Sequence, residues 1–265
     1  MLAREKFIIT TNHGQDHFWS RSAAHYEHDF IDPYVKDVRG NLVRRTLHRL
    51  RGPSEKVVAD LGCGIGPLLP FLSRRFKTVY AIDFAPGMLE RAKKTVAKRK
   101  NVTFVHAPFT DLAALPEPVD VAVAVNSLVL PSLGDLQNAL AEIRRCLKPG
   151  GVFLGIVPGM DAVHYHTMLL MDRARNLGLP PDAARKNAAQ FGDHSCYDFA
   201  FSEFRFKGLE QHFWHPFEVR HRFAQAGFAL KRLKKVHLSW TQFAGSIELK
   251  SFPAPWDWFF LAKPE

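Results

Sequence analysis

The sequence has only three cysteines and no long apolar run. Cys63, Cys146 and Cys196 lie far apart and none belongs to a C-x-x-C pair, so the pattern predicts neither a disulfide framework nor a zinc site. No segment approaches the ~20 apolar residues of a membrane-spanning helix, and the N-terminus has no secretory-signal pattern. We therefore expect a protein without metal or membrane span, in a reducing, cytoplasmic compartment.

Acidic residues are outnumbered, with 26 Asp and Glu against 36 Lys and Arg, which gives a net charge of +10. A positive field attracts anionic partners such as nucleic acid or an acidic small molecule. The basic residues are dispersed along the chain, and those within 93–100 fit the solvent-exposed face of a helix. The charge therefore leaves a nucleic-acid partner open without favouring it, and no pattern in the sequence indicates an oligomeric state.

Apolar runs typical of strands alternate with segments of helical spacing between residues 57 and 158, and this alternation resumes after 217. The predicted strands are 57–62, 78–83, 101–107, 119–126, 152–158, 229–240 and 256–263. Continuous apolar strands that alternate with helices are typical of a parallel sheet covered on both faces. We expect an α/β, Rossmann-like fold with a seven-stranded, mostly parallel sheet.

The remaining segments suggest additions to this core. We expect an N-terminal helical lid segment (1–52), a cofactor-binding α/β core (53–159), a substrate-lid insertion (160–216) and a closing helix with the last two strands of the core (217–265). The insertion is helical at first and then rich in aromatic residues and histidine. We expect it to form a lid over the open edge of the sheet.

A glycine-rich segment, D-L-G-C-G-I-G at 60–66, joins the first strand to the first helix. Glycines at alternate positions allow a tight turn and a close approach of the backbone to a ligand. The dinucleotide fingerprint requires a further glycine three residues after the second one, but Pro67 occupies that position. The spacing therefore disfavours a nicotinamide or flavin cofactor.

Asp83 ends the second strand and provides a second anchor. A carboxylate there can accept hydrogen bonds from both hydroxyls of a ribose, or it can cap the helix that follows. Together with L-K-P-G-G before the fifth strand, these motifs resemble the class I methyltransferases that use S-adenosylmethionine. Within that class the sequence is most similar to the small-molecule branch that includes ubiquinone and menaquinone methyltransferases.

The resemblance implies S-adenosylmethionine as cofactor and assigns it a set of residues. It places Gly62, Cys63 and Gly64 against the amino-acid part and the ribose, and directs Asp60 to the ammonium group. The other implied cofactor contacts are Tyr26 as a closing residue, Asp83 at the ribose, Phe84 and Met88 beside the adenine, and Asn126 under the methionine part. The family's acid or amide after the third strand is replaced by Ala107-Pro108-Phe109, so we expect Phe109 to stack on the adenine and Asp111 to accept from its amino group.

Methyl transfer needs a general base only when the acceptor must lose a proton. The histidines in and near the insertion are the candidates, and His164 and His166 rank first because they follow the fifth strand; the others are His194, His212 and His215. The aromatic residues predict a small, aromatic or lipophilic substrate, with an acidic group as a further option. The expected substrate contacts are Trp19, Tyr165, Phe204, Arg205 and Trp214.

Two other functions stay open at this point. The first is methylation of RNA or DNA, which the positive charge suggests, although the segment Asn126–Val129 lacks the Asn/Asp-Pro-Pro-aromatic motif of many base-modifying enzymes. The second is a protein that binds S-adenosylmethionine without catalysing a reaction, since the glycine loop and Asp83 predict binding and not turnover.

Overall fold

The structure is a computed structural model that describes residues 12–30, 32–34, 41–189, 197–198, 202–206, 208–243 and 247–265. The strands are β1 (Val57–Leu61), β2 (Thr78–Asp83), β3 (Val102–His106), β4 (Val119–Val125), β5 (Leu147–Pro158), β6 (Tyr197–Asp198), β7 (Glu203–Phe206), β8 (Leu209–His212), β9 (Phe228–His237) and β10 (Trp256–Pro264). The α-helices are α1 (Asn12–Ser22), α2 (Tyr26–Asp29), α3 (Leu42–His48), α4 (Leu69–Arg75), α5 (Pro86–Thr95), α6 (Leu133–Cys146), α7 (Met160–Asn176), α8 (Pro181–Ala189) and α9 (Pro216–Gln225).

Seven of these strands form one sheet in the order β3-β2-β1-β4-β5-β10-β9. Strands β1 to β5 pair in parallel, whereas β10 is antiparallel to both β5 and β9. The sheet order turns between β1 and β4, and ligands of such folds bind beyond the carboxyl ends of the strands near this turning point. The predicted seven-stranded, mostly parallel Rossmann-like sheet is confirmed.

Apolar layers cover the sheet on both faces. In β1, Val57, Ala59 and Leu61 pack in the layer that contains α6 and α9, and Val58 packs in the layer that contains α3, α4 and α5. Successive side chains of a strand point to opposite faces, so a strand between two helical layers buries apolar side chains on both faces. This explains why β1 is apolar except at Asp60 and β4 is apolar except at Asp120.

The insertion attaches at the carboxyl edge of the sheet. Its helices α7 and α8 confirm the helical prediction for 160–190, and β6, β7 and β8 form a separate antiparallel sheet. The Trp214 N–H donates to the Pro158 carbonyl (2.8 Å), and the His212 N–H donates to the Val129 carbonyl (3.0 Å). These bonds fix the small sheet against the segments that follow β4 and β5.

Within the described residues, no helix has the length and apolarity needed to cross a membrane. Cys63 and Cys146 are buried and free, and Cys196 lies outside the described residues. The cytoplasmic location inferred from the cysteine pattern stays a prediction.

The tight pairing of β4 with β5 depends on Gly155. A Cβ built at this position would overlap the carbonyl oxygen of Ala124 and approach the Phe260 ring to 2.9 Å. We predict that Gly155→Ala lowers the free energy of unfolding by about 3 kcal/mol or more, since neither backbone nor a fully buried ring can yield. Thermal unfolding should show a Tm lower by roughly 6–12 °C.

Gly134→Ala is the matched control, because Gly134 lies in α6 and a methyl there would meet only Ser132 Oγ, at 3.6 Å. This control should leave Tm unchanged or slightly higher, as alanine is the better helix former. Equal Tm values for Gly155→Ala and the wild type would contradict the packing described.

Candidate functional site

A cavity of about 360 Å³ opens at the carboxyl edge of the sheet, within the usual size range of small-molecule sites. Its lining comes from the N-terminal helices, the glycine loop and the segments that follow β2, β3 and β4. The lining residues are Gln15, Asp16, Trp19, Tyr26, Gly62, Gly64, Asp83, Phe84, Met88, His106, Ala107, Pro108, Phe109, Thr110, Val125, Asn126, Ser127, Val129 and Leu130.

The glycine loop adopts a backbone that side chains disfavour. Gly62, Gly64 and Gly66 have φ values of +68°, +53° and +82°, a region that glycine enters at little cost. A Cβ at Gly62 would lie 2.5 Å from Ser127 Cβ, so this glycine allows the segment after β4 to pack on the loop. Gly64 has no atom of the described chain within 4 Å of its Cβ position, which leaves its cavity side open to a ligand.

Asp83 both closes the glycine turn and caps a helix. Its Oδ2 accepts from the Gly64 N–H and its Oδ1 from the Ala85 N–H, both at 2.9 Å. Burial raises the pKa of Asp83 to about 6, against the lowering effect of these hydrogen bonds. Since a carboxylate oxygen has more than one lone pair, each of them can still accept from a ligand hydroxyl.

Asp60 lies behind the glycine turn, at the end of β1. The side chain is buried and is not part of the cavity lining; its Oδ2 has no hydrogen-bond partner among the described residues. Burial, and then the charge of Asp83, raise the pKa of Asp60 to about 7. The ionised form therefore lacks a compensating cation in the described part of the chain.

The N-terminal helices cover the cavity. Tyr26 stacks on Phe30 with 5.1 Å between ring centroids, and Trp19 lies at 4.9 Å from Phe30. Burial raises the pKa of Tyr26 to about 12, so its hydroxyl stays protonated. The covering segment is thus the N-terminal one, whereas no described residue of 160–216 lines the cavity.

Contacts with α5 hold this N-terminal cover in place. Arg91 pairs with Glu27 at 2.5 Å and also donates to the Ala23 carbonyl. Close packing requires Gly87, because a Cβ there would lie 2.5 Å from the Ser20 carbonyl oxygen. These contacts hold the N-terminal segment over the cavity, and the lid role expected for the insertion stays a prediction.

The segment after β3 differs from the expected arrangement. Phe109 lines the cavity and reaches the glycine loop, with its Cζ 2.7 Å from the Cβ position of Gly62. Asp111 is exposed, accepts from the Ala113 N–H and does not line the cavity, so its position does not support the expected role as adenine acceptor. His106, which the sequence reasoning missed, lines the cavity and lies 2.9 Å from the Phe84 carbonyl oxygen through Nε2.

Neither of the two leading base candidates reaches the cavity. His164 is exposed on α7, and His166 is buried against Trp240 and Phe243, with ring centroids 5.6 and 5.1 Å apart. Residues two apart on a helix face in different directions. His164 therefore faces solvent, whereas His166 packs in an apolar cluster separate from the main core. Neither histidine lines this cavity, and a role for either as a base has no support from its position.

Four predicted substrate contacts also lie elsewhere. Trp214 is fully buried and donates through Nε1 to the Leu128 carbonyl (2.7 Å). Tyr165 donates to the Pro253 carbonyl (3.0 Å), Arg205 pairs with Glu210 (3.3 Å), and Phe204 stacks on Phe213, which follows β8 (4.3 Å between ring centroids). Of the five predicted substrate residues only Trp19 lines the cavity. Tyr165 packs instead against Trp256, and Trp214 packs against Phe223 in the main core.

The remaining predicted site residues, a cysteine and three histidines, do not line the cavity in the described part of the chain. Cys63 is buried in the layer of α4 and α5 and does not line the cavity. His212 is buried beside Glu218 at 3.1 Å, and His215 stacks on Phe217. His194 lies outside the described residues, and no group of three or more potential metal ligands occurs within them.

Three comparisons relate the chain to known proteins. Residues 58–151 match a family model described as a methyltransferase domain. A malonyl-[acyl-carrier protein] O-methyltransferase of Serratia marcescens is 37% identical over 125 residues, which is 44% of this chain and 46% of the relative. A demethylmenaquinone methyltransferase of Clavibacter sepedonicus is 37% identical over 94 residues, 36% of this chain and 38% of that relative.

The chain therefore spans less than half the length of the curated relatives it matches. Solved structures resemble it over more of its length at low identity. A DhpI–SAH complex covers 96% of this chain and 98% of its own, with a TM-score of 0.61 and 16% identity. The N-methyltransferase NodS from Bradyrhizobium japonicum has a TM-score of 0.57 at 13% identity, over 93% of this chain and 98% of its own.

The sheet order, the glycine turn with Asp83 beside it, and the family match thus agree with one another. Residues 58–151 match the methyltransferase domain family, and the described chain around them has the Rossmann-like fold of the solved methyltransferase structures.

Proposed function

We propose that the protein transfers the methyl group of S-adenosylmethionine to a small, aromatic or lipophilic molecule. The observation that carries the proposal is the pair of buried carboxylates, Asp60 and Asp83, at the glycine turn. Neither forms an ion pair with a Lys or Arg of the described chain. A cofactor with a positively charged sulfur and an ammonium group supplies the cations that these carboxylates lack.

The residues present fit this cofactor. Gly64 leaves room for a ligand against the backbone, and Asp83 has free lone pairs for a ribose diol. Phe84 and Met88 line the cavity beside Asp83, where the adenine is expected. Asp60 does not reach the cavity, so we assign it an effect through its charge or through water.

The chain's part in the reaction is positioning. When bound, S-adenosylmethionine would supply a methyl group on a positively charged sulfur, which the acceptor would take by in-line displacement as the carbon–sulfur bond breaks and the neutral thioether leaves. Trp19 and Tyr26 cover the cavity and exclude water from it, and holding two reactants in place can supply roughly 7–11 kcal/mol. Where the acceptor must lose a proton, Asp16 and His106 are titratable side chains of the lining that can take it.

The acceptor side of the cavity is apolar. Trp19, Val129 and Leu130 contribute to it, and no Lys or Arg occurs in the lining formed by the described residues. This supports an uncharged aromatic or lipophilic acceptor over an acidic one, and it gives no support to a nucleic-acid substrate, whose phosphates need basic contacts. Of the substrates in the relatives' names, demethylmenaquinone fits this lining better than a malonyl group.

Binding of the cofactor tests the proposal first. Calorimetry should give micromolar affinity for S-adenosylmethionine and no binding of NAD. Asp83→Ala removes the ribose acceptor and one buried charge, so the Kd should rise by at least about tenfold, as expected for the loss of hydrogen bonds to a charged group.

Asp111→Asn is the control for this variant. Asp111 is an aspartate in the segment that follows β3, and it does not line the cavity. Its affinity should equal that of the wild type. Preference for NAD over S-adenosylmethionine would overturn the proposal.

The raised pKa values of Asp60 and Asp83, about 7 and about 6, predict a pH dependence. A cation binds best when both carboxylates are ionised, so affinity for S-adenosylmethionine should fall by about tenfold or more as pH drops from 8 to 5. Calorimetry across this range measures the effect.

The raised pKa values of Asp60 and Asp83 also affect fold stability: a rise in pH strengthens cofactor binding but lowers the stability of the ligand-free fold. A carboxyl group whose pKa is higher in the folded protein stabilises the fold below its unfolded pKa, and this contribution is lost as pH rises through the folded value. Asp60→Asn should therefore raise the Tm of the ligand-free protein at pH 8 and weaken cofactor binding. A lower Tm with unchanged binding would count against the electrostatic role of Asp60.

Trp19 tests the acceptor side. We expect a panel of hydroxylated aromatic and quinone compounds to contain a methyl acceptor, detected as S-adenosylhomocysteine formation. Trp19→Ala should reduce turnover at least tenfold, whereas His164→Ala should not, because His164 is exposed on α7. Cofactor binding without turnover of any compound would favour a non-catalytic protein.

A further inference from the structure

Asn126 and Asp257 form a buried pair beside the cavity. Asn126 follows β4 directly, lines the cavity and has a φ of +51°. Its backbone N–H donates to the Ile156 carbonyl at 2.8 Å, which fixes the backbone at this turn. Asp257 is the second residue of β10, is 5% exposed and does not line the cavity.

The hydrogen bonds of this pair determine how the Asn126 amide is oriented. Its Nδ2 donates to Asp257 Oδ2 at 3.1 Å, and the Gly159 N–H donates to the same carboxyl group. An ionised carboxylate can only accept, so the amide nitrogen and not the amide oxygen must face it. The buried Oδ1 of Asn126 is left without a hydrogen-bond partner among the described residues.

The sheet order indicates which part of the cavity this oxygen serves. Asp83 ends β2, β1 lies next to it and β4 comes after β1. With neighbouring strands about 4.8 Å apart, Asn126 lies on the opposite side of the glycine loop from the expected ribose and adenine. A ligand that runs across the loop from Asp83 therefore brings its far end to Asn126.

We propose that Asp257 is a positioning residue that holds the Asn126 amide with its oxygen free to accept from the amino group of the cofactor's methionine part. The inference rests on the proposed function, because it takes S-adenosylmethionine as the ligand. An amino group matches the oxygen, since an unpaired buried acceptor requires a donor and an ammonium has three. Asp257 acts only through Asn126 and does not contact the ligand.

Two ligands that differ in the methionine part test this role. S-Adenosylhomocysteine has the amino-acid part, whereas 5′-methylthioadenosine has the same adenosine and thioether without it. Asp257→Asn can donate to the oxygen of Asn126 and so reverse the amide. We expect its Kd for S-adenosylhomocysteine to rise about tenfold or more, as for a lost hydrogen bond to a charged group, with the Kd for 5′-methylthioadenosine unchanged.

A swap of the pair provides the rescue. In Asn126→Asp/Asp257→Asn the amide and the carboxylate exchange places, so an acceptor oxygen again remains for the ligand, and affinity for S-adenosylhomocysteine should recover. Lys263→Gln on the same strand is the control, because Lys263 is exposed; both affinities should stay at wild-type values.

The outcomes separate the two proposals. Binding of both ligands by the wild type, with no change in Asp257→Asn, would overturn the positioning role alone. Equal loss of both ligands together with a lower Tm would also overturn it, because the role of Asp257 would then be structural. A wild type that binds neither ligand would contradict the proposed function itself.

Discussion

Buried carboxylates at the carboxyl edge of the sheet are the constraint on which the site depends. Asp60, Asp83 and Asp257 are each at most 5% exposed, and burial raises the pKa of each carboxyl group. Charges in such surroundings are costly unless a cation or several donors compensate them. The fold provides backbone N–H donors for Asp83 and Asp257 and the Asn126 amide for Asp257, and the raised pKa values show that these donors do not fully offset burial.

The same fold that imposes this cost also creates the space for the ligand. Parallel strands bring their carboxyl ends to one edge, and the glycine turn after β1 keeps that edge free of side chains at Gly64. The N-terminal helices then close over the opening and are tied to α5 through Arg91 and Gly87. The buried carboxylates lower the stability of the fold, and binding of a cationic cofactor, as proposed, offsets this cost. Cofactor binding is then coupled to the protonation of these carboxyl groups.

The sequence predicted the seven-stranded sheet, and with it which residues lie at the strand ends beside the cavity. Strand periodicity identified all seven strands of the main sheet. Because the carboxyl ends of parallel strands share one edge, the sequence also predicted which strand-end residues lie near the ligand site. Gly62, Gly64 and Asp83 line the cavity for this reason. His106 was missed although it ends β3, because the family resemblance points to the positions that follow this strand.

The acceptor side could not be predicted in the same way. A helix such as α7 offers every direction around its axis, and the sequence does not tell which face meets the cavity; His166 turned to Trp240 instead. The aromatic residues of the insertion could either line a pocket or fill a core. Trp214 is one that fills the core. Composition gives the amount of apolar surface, whereas only the tertiary arrangement decides where it is buried.

The most direct test of the account is the number of protons released when the cofactor binds. Calorimetric titration of S-adenosylmethionine at pH 6.5, in buffers of different ionisation enthalpy, measures it. A cation that compensates Asp60 and Asp83 must lower their pKa values of about 7 and about 6, so the account predicts net proton release. Binding with no proton exchange, or with proton uptake, would contradict it.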